Sequence, residues 1–299
     1  MKAVQKATVC SALGVCGALA LGCGGSQHPA PIPPQLVSTV SGFSEPEAVR
    51  YDPDQDVFFV ANFNGSGDEA DNNGFISRVR PDGSIERLQF IRGGRAGVTL
   101  HAPRGMAITG DTLWVADVDA VRGFDRRTGT TLVVIDFTAF EPGFLNDLAP
   151  GPDGALYVTD TGRNRIYRIA DGAAEIALED STLDGPNGIT WDAAEERFVV
   201  APFGGQRMLR GWRPGRMTSE WVAVLPGARL DGVEVLGDST ILVASQADSA
   251  LHLVRNGIGT RIIRTAGRPA DIGVDTRRNR VAVPFIALDR VDIWTLPRR

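Results

Sequence analysis

One pattern recurs six times along this chain of 299 residues. Each copy opens with a tight turn and a short apolar run, then a second turn and a second apolar run. The openings read EPEAVRYD from Glu45, APRGMAIT from Ala102, FLNDLAPG from Phe144, GPNGITWD from Gly185, LDGVEVLG from Leu230 and RPADIGVD from Arg268. Aligned on the turn, Glu47, Arg104, Asn146, Asn187, Asp231 and Asp271 share one position, at successive spacings of 57, 42, 41, 44 and 40 residues. A period of about 40 residues with several short strands per copy is the sequence signature of radially repeated sheets. The pattern predicts an all-β fold, a six-bladed β-propeller. Six equivalent positions in a closed propeller form a ring around one axis. A ring of oxygen side chains around one axis is a metal-site hypothesis.

The second runs are VFFVAN, TLWVAD, ALYVTD, RFVVAP, TILVAS and RVAVPF, apolar stretches that in most copies close on a small or polar residue. Turn sequences such as DPDQ, RPDG, RRTG and GPDG flank them. Apolar runs bounded in this way read as strands buried between neighbouring blades. The last repeat, from Arg268 to Pro297, has room for three strands, and a strand from Leu36 to Phe43 is expected to close that blade. The first repeat is long. Its extra residues, 63–74 and 92–101, fall on the face of the six ring residues and read either as a lid or as variable surface loops.

Residues 1–22 read as a secretory signal peptide. Lys2 and Lys6 precede an uncharged run of small apolar residues from Ala7 to Gly22, too short for a comfortable membrane span. The run ends in ALGC, which resembles the bacterial lipobox and makes Cys23 the expected lipid acceptor. Residues 23–35, GGSQHPAPIPPQ after the Cys, read as a lipidated tether, and 36–299 as the propeller. The expected location is a lipid-anchored protein of the bacterial envelope, in the periplasm or at the outer membrane. Cys10 and Cys16 lie in the segment to be removed, so no disulfide is expected. Both lysines lie there too, and the net charge of −5 becomes −7. A chain without lysine excludes Schiff-base and P-loop chemistry, and an acidic domain offers no footprint for nucleic acid.

Four ring residues are oxygen donors of the kind a hard divalent cation takes: Glu47, Asn146, Asn187 and Asp231. An all-oxygen set favours Ca2+ or Mg2+ over zinc or copper. Asn187 and Asp231 precede Gly, a pairing that also suits a left-handed turn; Glu47 and Asn146 do not. The motifs EAVRYDP, LNDLAPGPDG, PNGITWD and LDGVEV resemble those of the regucalcin, gluconolactonase and luciferin-regenerating-enzyme group. The resemblance covers about residues 42–296. It implies a six-bladed propeller with one axial metal held by Glu47, Asn146, Asn187 and Asp231. That ion is taken as Ca2+, with Mn2+, Mg2+ and Zn2+ left open. The chain also departs from the group. Phe144 stands where its sugar lactonases carry an Arg, Leu148 follows Asn-Asp in place of Gly, and Asp271 adds a third acid to the ring.

The function implied is metal-dependent hydrolysis of a lactone or related ester, with Asp231 as the proton acceptor. Arg104, His101, Phe144 and Asp271 are candidates to line the substrate. The alternative is a non-catalytic, NHL-like surface propeller that binds a protein or glycan. His101 is weighed as a proton shuttle against plain packing, and His252 falls in a strand. No Gly-x-Ser-x-Gly elbow occurs, so a serine hydrolase lacks support. The Gly-rich RGGRAG at Arg92 has no strand-to-helix setting for a dinucleotide. The expected partners are a small-molecule lactone or ester and, through the lipid alone, a membrane, with the chain a monomer. The location is testable by fractionation: Cys23→Ala should release the protein from membranes or block its processing, and unchanged partitioning with normal processing would contradict the lipobox reading.

Overall fold

In a computed structural model, the described residues are 32–237 and 240–297, with Met1 and Ala3. Most of the expected signal peptide, with Cys10 and Cys16, and Cys23, His28 and most of the tether lie outside them. Two compact units are distinguished, Met1–Pro31 and Ile32–Arg299, and the second holds all the regular structure considered below.

That unit is built of strands. They begin with β1 (Leu36–Ser41), β2 (Pro46–Asp52), β3 (Val57–Asn62), β4 (Phe75–Val79) and β5 (Ile85–Arg92). Next come β6 (Met106–Thr109), β7 (Thr112–Ala116), β8 (Ala120–Asp125) and β9 (Thr131–Asp136). These are followed by β10 (Leu145–Pro150), β11 (Leu156–Asp160), β12 (Arg165–Ala170) and β13 (Ala173–Glu179). Then come β14 (Pro186–Asp192), β15 (Arg197–Pro202), β16 (Met208–Trp212), β17 (Glu220–Val224), β18 (Leu230–Val235), β19 (Ile241–Ser245), β20 (Ala250–Arg255) and β21 (Ile258–Arg264). The chain finishes with β22 (Gly273–Asp275), β23 (Arg280–Phe285) and β24 (Arg290–Thr295). Among the described residues the only helices are three single 3-10 turns, none long or apolar enough to cross a membrane.

Three sheets are antiparallel meanders: β2 to β5, β6 to β9, and β10 to β13. A fourth has the order β1-β24-β23-β22, so the N-terminal strand supplies the outer edge of the last sheet. The expected fourth and fifth blades appear as one eight-stranded sheet. Two meanders, β14 to β17 and β18 to β21, are joined where β17 meets β21 through a single parallel pair, Val224 and Ile258. Both residues are exposed, so the junction is a touching of outer edges rather than a shared core.

The core is distributed between the meanders. Phe59, Ile76 and Ile91 pack on Met106, Val115 and Phe124 of the next unit. Five comparable clusters join the remaining consecutive pairs, and one of them brings Ala282 and Ile293 of the last sheet onto Val49 and Phe58 of the first. A strand covered on both faces needs a continuous apolar run rather than alternation, and β3, β11 and β19 are buried at every position. Outer strands expose more of their residues, as β5, β13 and β21 do. Hairpins are set by carboxylates: Asp52 Oδ1 accepts the N–H groups of Asp54 and Gln55, and Asp275 Oδ1 those of Arg277 and Arg278.

Innermost strands approach closely enough to require glycine. A Cβ on Gly232 would lie 2.7 Å from Asp271 Oδ1, and one on Gly273 would lie 2.5 Å from Val49 O. Overpacking costs about 1–3 kcal/mol, about 2–4 °C each in a domain of this size. Gly232→Ala should lower the melting temperature by several degrees. Gly237→Ala, where nothing lies within 4 Å, should leave it within a degree or so. Equal shifts in the two variants would contradict this account of the inner packing.

Candidate metal centre

Glu47, Arg104, Asn146, Asn187, Asp231 and Asp271 are all buried, none more than 4% exposed. Four of them sit at irregularities in the pairing of an innermost strand with its neighbour. In β2 the register steps from Pro46–Asn62 to Ala48–Ala61, leaving Glu47 as the extra residue. β10 steps from Leu145–Asp160 to Leu148–Val158, β14 from Pro186–Pro202 to Ile189–Val200, and β18 from Leu230–Ser245 to Val233–Val243. In each case the inner strand carries one residue more than its partner, a β-bulge. A bulge re-aims a side chain that regular pairing would direct onto a sheet face. Asn187 and Asp231 thus lie inside strands and not in left-handed turns. The glycines after them serve close packing: a Cβ on Gly188 would lie 3.0 Å from Val233 N.

The polar residues that close several second strands hold the incoming loops. Asp160 accepts the N–H groups of Gly143 and Phe144. Asp117 accepts those of His101 and Ala102, and Asn62 Oδ1 accepts that of Ser44. Each clamp fixes the backbone two or three residues before a ring position.

Five of the six ring residues hold a buried oxygen with no hydrogen-bond donor: Glu47 Oε2, Asn146 Oδ1, Asn187 Oδ1, Asp231 Oδ1 and Asp271 Oδ2. A buried, unpaired polar atom costs about 1–3 kcal/mol, more when charged, and a cation is the kind of partner that would satisfy these five. The orientation of Asn146 follows from its partner. Thr161 gives its hydroxyl hydrogen to Pro186 O at 2.7 Å and so acts as acceptor toward Asn146 Nδ2 at 3.1 Å, which leaves the amide oxygen as the free atom. Asp231 Oδ2 accepts from Gln246 Nε2 at 2.7 Å, leaving Oδ1 free. These oxygens fit a hard divalent cation.

Beyond the ring lies a second tier that sequence reasoning missed. Arg50, three residues after Glu47, pairs with Glu234, three residues after Asp231, across the axis, and its Nε donates to Met106 O at 2.6 Å. Asp147 accepts the N–H groups of Leu148 and Ile189. The available signal was a second charged residue in inner strands that already carry a ring acid, Arg50 in β2 and Glu234 in β18. Burial raises the carboxyls of Glu47 and Asp271 well above their usual range. Repulsion from Asp231 adds to the first and from Asp147 to the second. Burial pushes Asp231 up to about 7 and Asp147 up to about 6. Burial also lowers Arg104 to about 10, against the pull of Glu47.

The residues expected to line a substrate have other work as well. Arg104 donates to Leu145 O at 2.8 Å and to Gly67 O of the first insertion, and its guanidinium stacks on Phe144 at 3.6 Å. His101 Nδ1 accepts from Asn72 N at 2.9 Å, and Leu100 N donates to Asn72 Oδ1, so the two insertions are tied to one another and, through Gly67, to the ring. His101, Asp117 and Asp119 bring ligand atoms within 4.8 Å of one another. Arg122 already pairs with both aspartates there, at 2.6 and 2.7 Å, so protein meets part of that cluster's charge. Among the described residues the ring acids form no such tight trio. His252 is fully buried and bonded to Asp248. A cavity of about 730 Å³ lies further along the inner strands, past Arg50, lined by Ile108, Leu148, Thr190 and Trp191. No ring residue lines it.

No family model matches the chain, and no curated protein matches it in sequence. Its fold has counterparts among solved structures. A gluconolactonase from Xanthomonas campestris is 17% identical, with 90% of this chain and 100% of that one covered and a TM-score of 0.59. A luciferin-regenerating enzyme is 10% identical, with 89% and 94% covered and a TM-score of 0.62. A streptogramin B lyase is 13% identical, with 88% and 98% covered and a TM-score of 0.64. The resemblance carried by the four sequence motifs therefore has a counterpart in three dimensions, and at these identities it is a likeness of fold.

A pH dependence follows from the buried acids. A carboxyl held higher in the folded chain than its unfolded value of about 3.9 takes up protons preferentially when folded. Stability is then lost as pH rises from about 4 through 6 and 7, the values of Asp147 and Asp231. Metal-stripped protein should melt higher at pH 5 than at pH 8, and calcium should remove most of the difference. A melting temperature that rises from pH 5 to pH 8 without metal would contradict it.

Proposed function

We propose that the chain is a divalent-metal-dependent hydrolase of a lactone or related ester, built on a six-bladed β-propeller. The blade count is supported by the two meanders of the eight-stranded sheet, each with its own inner strand and bulge, and by core clusters that continue from the last sheet to the first. Solved structures of this fold include proteins named gluconolactonase.

The observation that carries the reading is the set of buried, donorless oxygens on Glu47, Asn146, Asn187 and Asp231. These residues would hold the ion, taken as Ca2+. A divalent cation held there would supply a Lewis acid able to polarise a carbonyl and offset the charge that develops on its oxygen. Asp231 accepts the proton of the attacking water. Gln246 fixes its rotamer through Oδ2, which keeps the carboxylate oriented for that step. The Arg104–Phe144 stack and the tied insertions border the ring and shape the approach to it. The chain acts at the bacterial envelope, anchored through Cys23.

The alternative is an NHL-like propeller that binds a protein or glycan. The cavity at the other end of the inner strands favours it.

A panel of aldonic, acyl-homoserine and aromatic lactones, with calcium or manganese, separates the two. Asp231→Asn keeps an oxygen ligand and should lose about 10²–10⁴-fold in turnover while retaining much of its metal binding. Asn187→Ala should lower metal affinity and activity together. Parent activity equal to buffer on every class would leave the binding reading. Equal turnover in parent and Asp231→Asn would reject that residue as the base.

A further inference from the structure

We propose that Asp271 is a fifth oxygen ligand of the ring, which makes it a site for a large, hard cation of the calcium or lanthanide class. The inference rests on the reading that the ring holds a cation. It concerns the one ring acid that has no counterpart in the four-residue motif set.

The backbone pins Asp271 beside Glu47. Its N–H donates to Glu47 O at 2.9 Å, and its carbonyl accepts from Val49 N at 3.1 Å, an isolated parallel bridge between the last sheet and the first. On its other side the carboxylate lies against Gly232, whose missing Cβ would sit 2.7 Å from Asp271 Oδ1. Gly232 follows Asp231, so Asp271 stands between two acids that each hold a free oxygen. Its own Oδ2 is buried without a donor, and among the described residues no side chain donates to it.

The donors Asn146, Asn187, Asp231, Asp271 and Glu47 then occupy five consecutive positions of the repeat. Arg104 takes the sixth and directs its Nη atoms to Leu145 O and Gly67 O. Three carboxylates flanking one another between inner strands that cannot separate either take up protons or, when ionised, repel unless a cation lies among them. Zinc closes its shell with four ligands, and magnesium demands near-ideal octahedral geometry. Calcium takes 6–8 oxygens in flexible geometry, which suits five protein donors completed by water or substrate.

Europium luminescence decay in H2O and D2O counts the waters on a bound ion and reads this directly on the full chain. Removing an inner ligand admits water, so Asp271→Ala should raise the count by about one. Asp271→Asn keeps an oxygen and should hold the parent count. Calcium affinity, read by calorimetry on metal-stripped protein, should fall by at least about 10-fold in Asp271→Ala. The melting temperature of the metal-free protein should hold or rise in both variants, because an unpaired buried charge has been removed. An unchanged water count in Asp271→Ala would overturn the inference even with weakened binding, since the acid would then act by charge alone. A drop in metal-free melting temperature in both variants would overturn it by making the acid a structural group. Europium that fails to bind the parent would overturn both the inference and the cation reading, whereas a count that changes in Glu47→Ala but not in Asp271→Ala would overturn the inference alone.

Discussion

Taking an oxygen out of water without giving it a donor is among the costlier things a fold can do. Here Glu47, Asn146, Asn187, Asp231 and Asp271 do it together. Side chains alone do not hold such a cluster; the backbone does. Bulges in β2, β10, β14 and β18 turn four of the residues to the axis. Asn62, Asp117 and Asp160 clamp the loops that lead into the ring. The scaffold is rigid because each inner strand is wedged between apolar layers, and because glycine lets neighbours such as β18 and the last sheet meet at backbone distance.

The axis is layered in charge. The ring carries Glu47, Asp231 and Asp271, and the Arg50–Glu234 pair with Asp147 lies behind it. Burial lowers the Arg50 guanidinium, but Glu234, Asp271 and Asp147 outweigh it and hold it above its ordinary value. It therefore stays charged while the acids around it are raised. Arg104 plays a different part. It abuts Glu47 electrostatically, props the first insertion at Gly67 and stacks on Phe144.

The six equivalent, buried positions were legible in the sequence because they recur in phase with the turns, and the N-terminal closing strand because the last repeat lacked one. The bulges were not legible. Asn187-Gly and Asp231-Gly read equally well as left-handed turns, and only the proximity of neighbouring strands shows that Gly188 and Gly232 are there to admit a backbone. The clamps were visible as polar ends on apolar runs, without a partner to explain them. Arg50 and Glu234 lie 184 residues apart in the sequence, and their pairing depends on closure across the axis. The edge junction of Val224 and Ile258 had no sequence signal, since both positions are ordinary outer-strand residues.

The central claim is that the buried oxygens exist to hold one cation. Calorimetric titration of the chelator-treated chain with calcium at neutral pH tests it most directly. The account predicts one calcium per chain, bound with release of protons from the ring acids. The absence of binding by calcium, magnesium and manganese alike would contradict it.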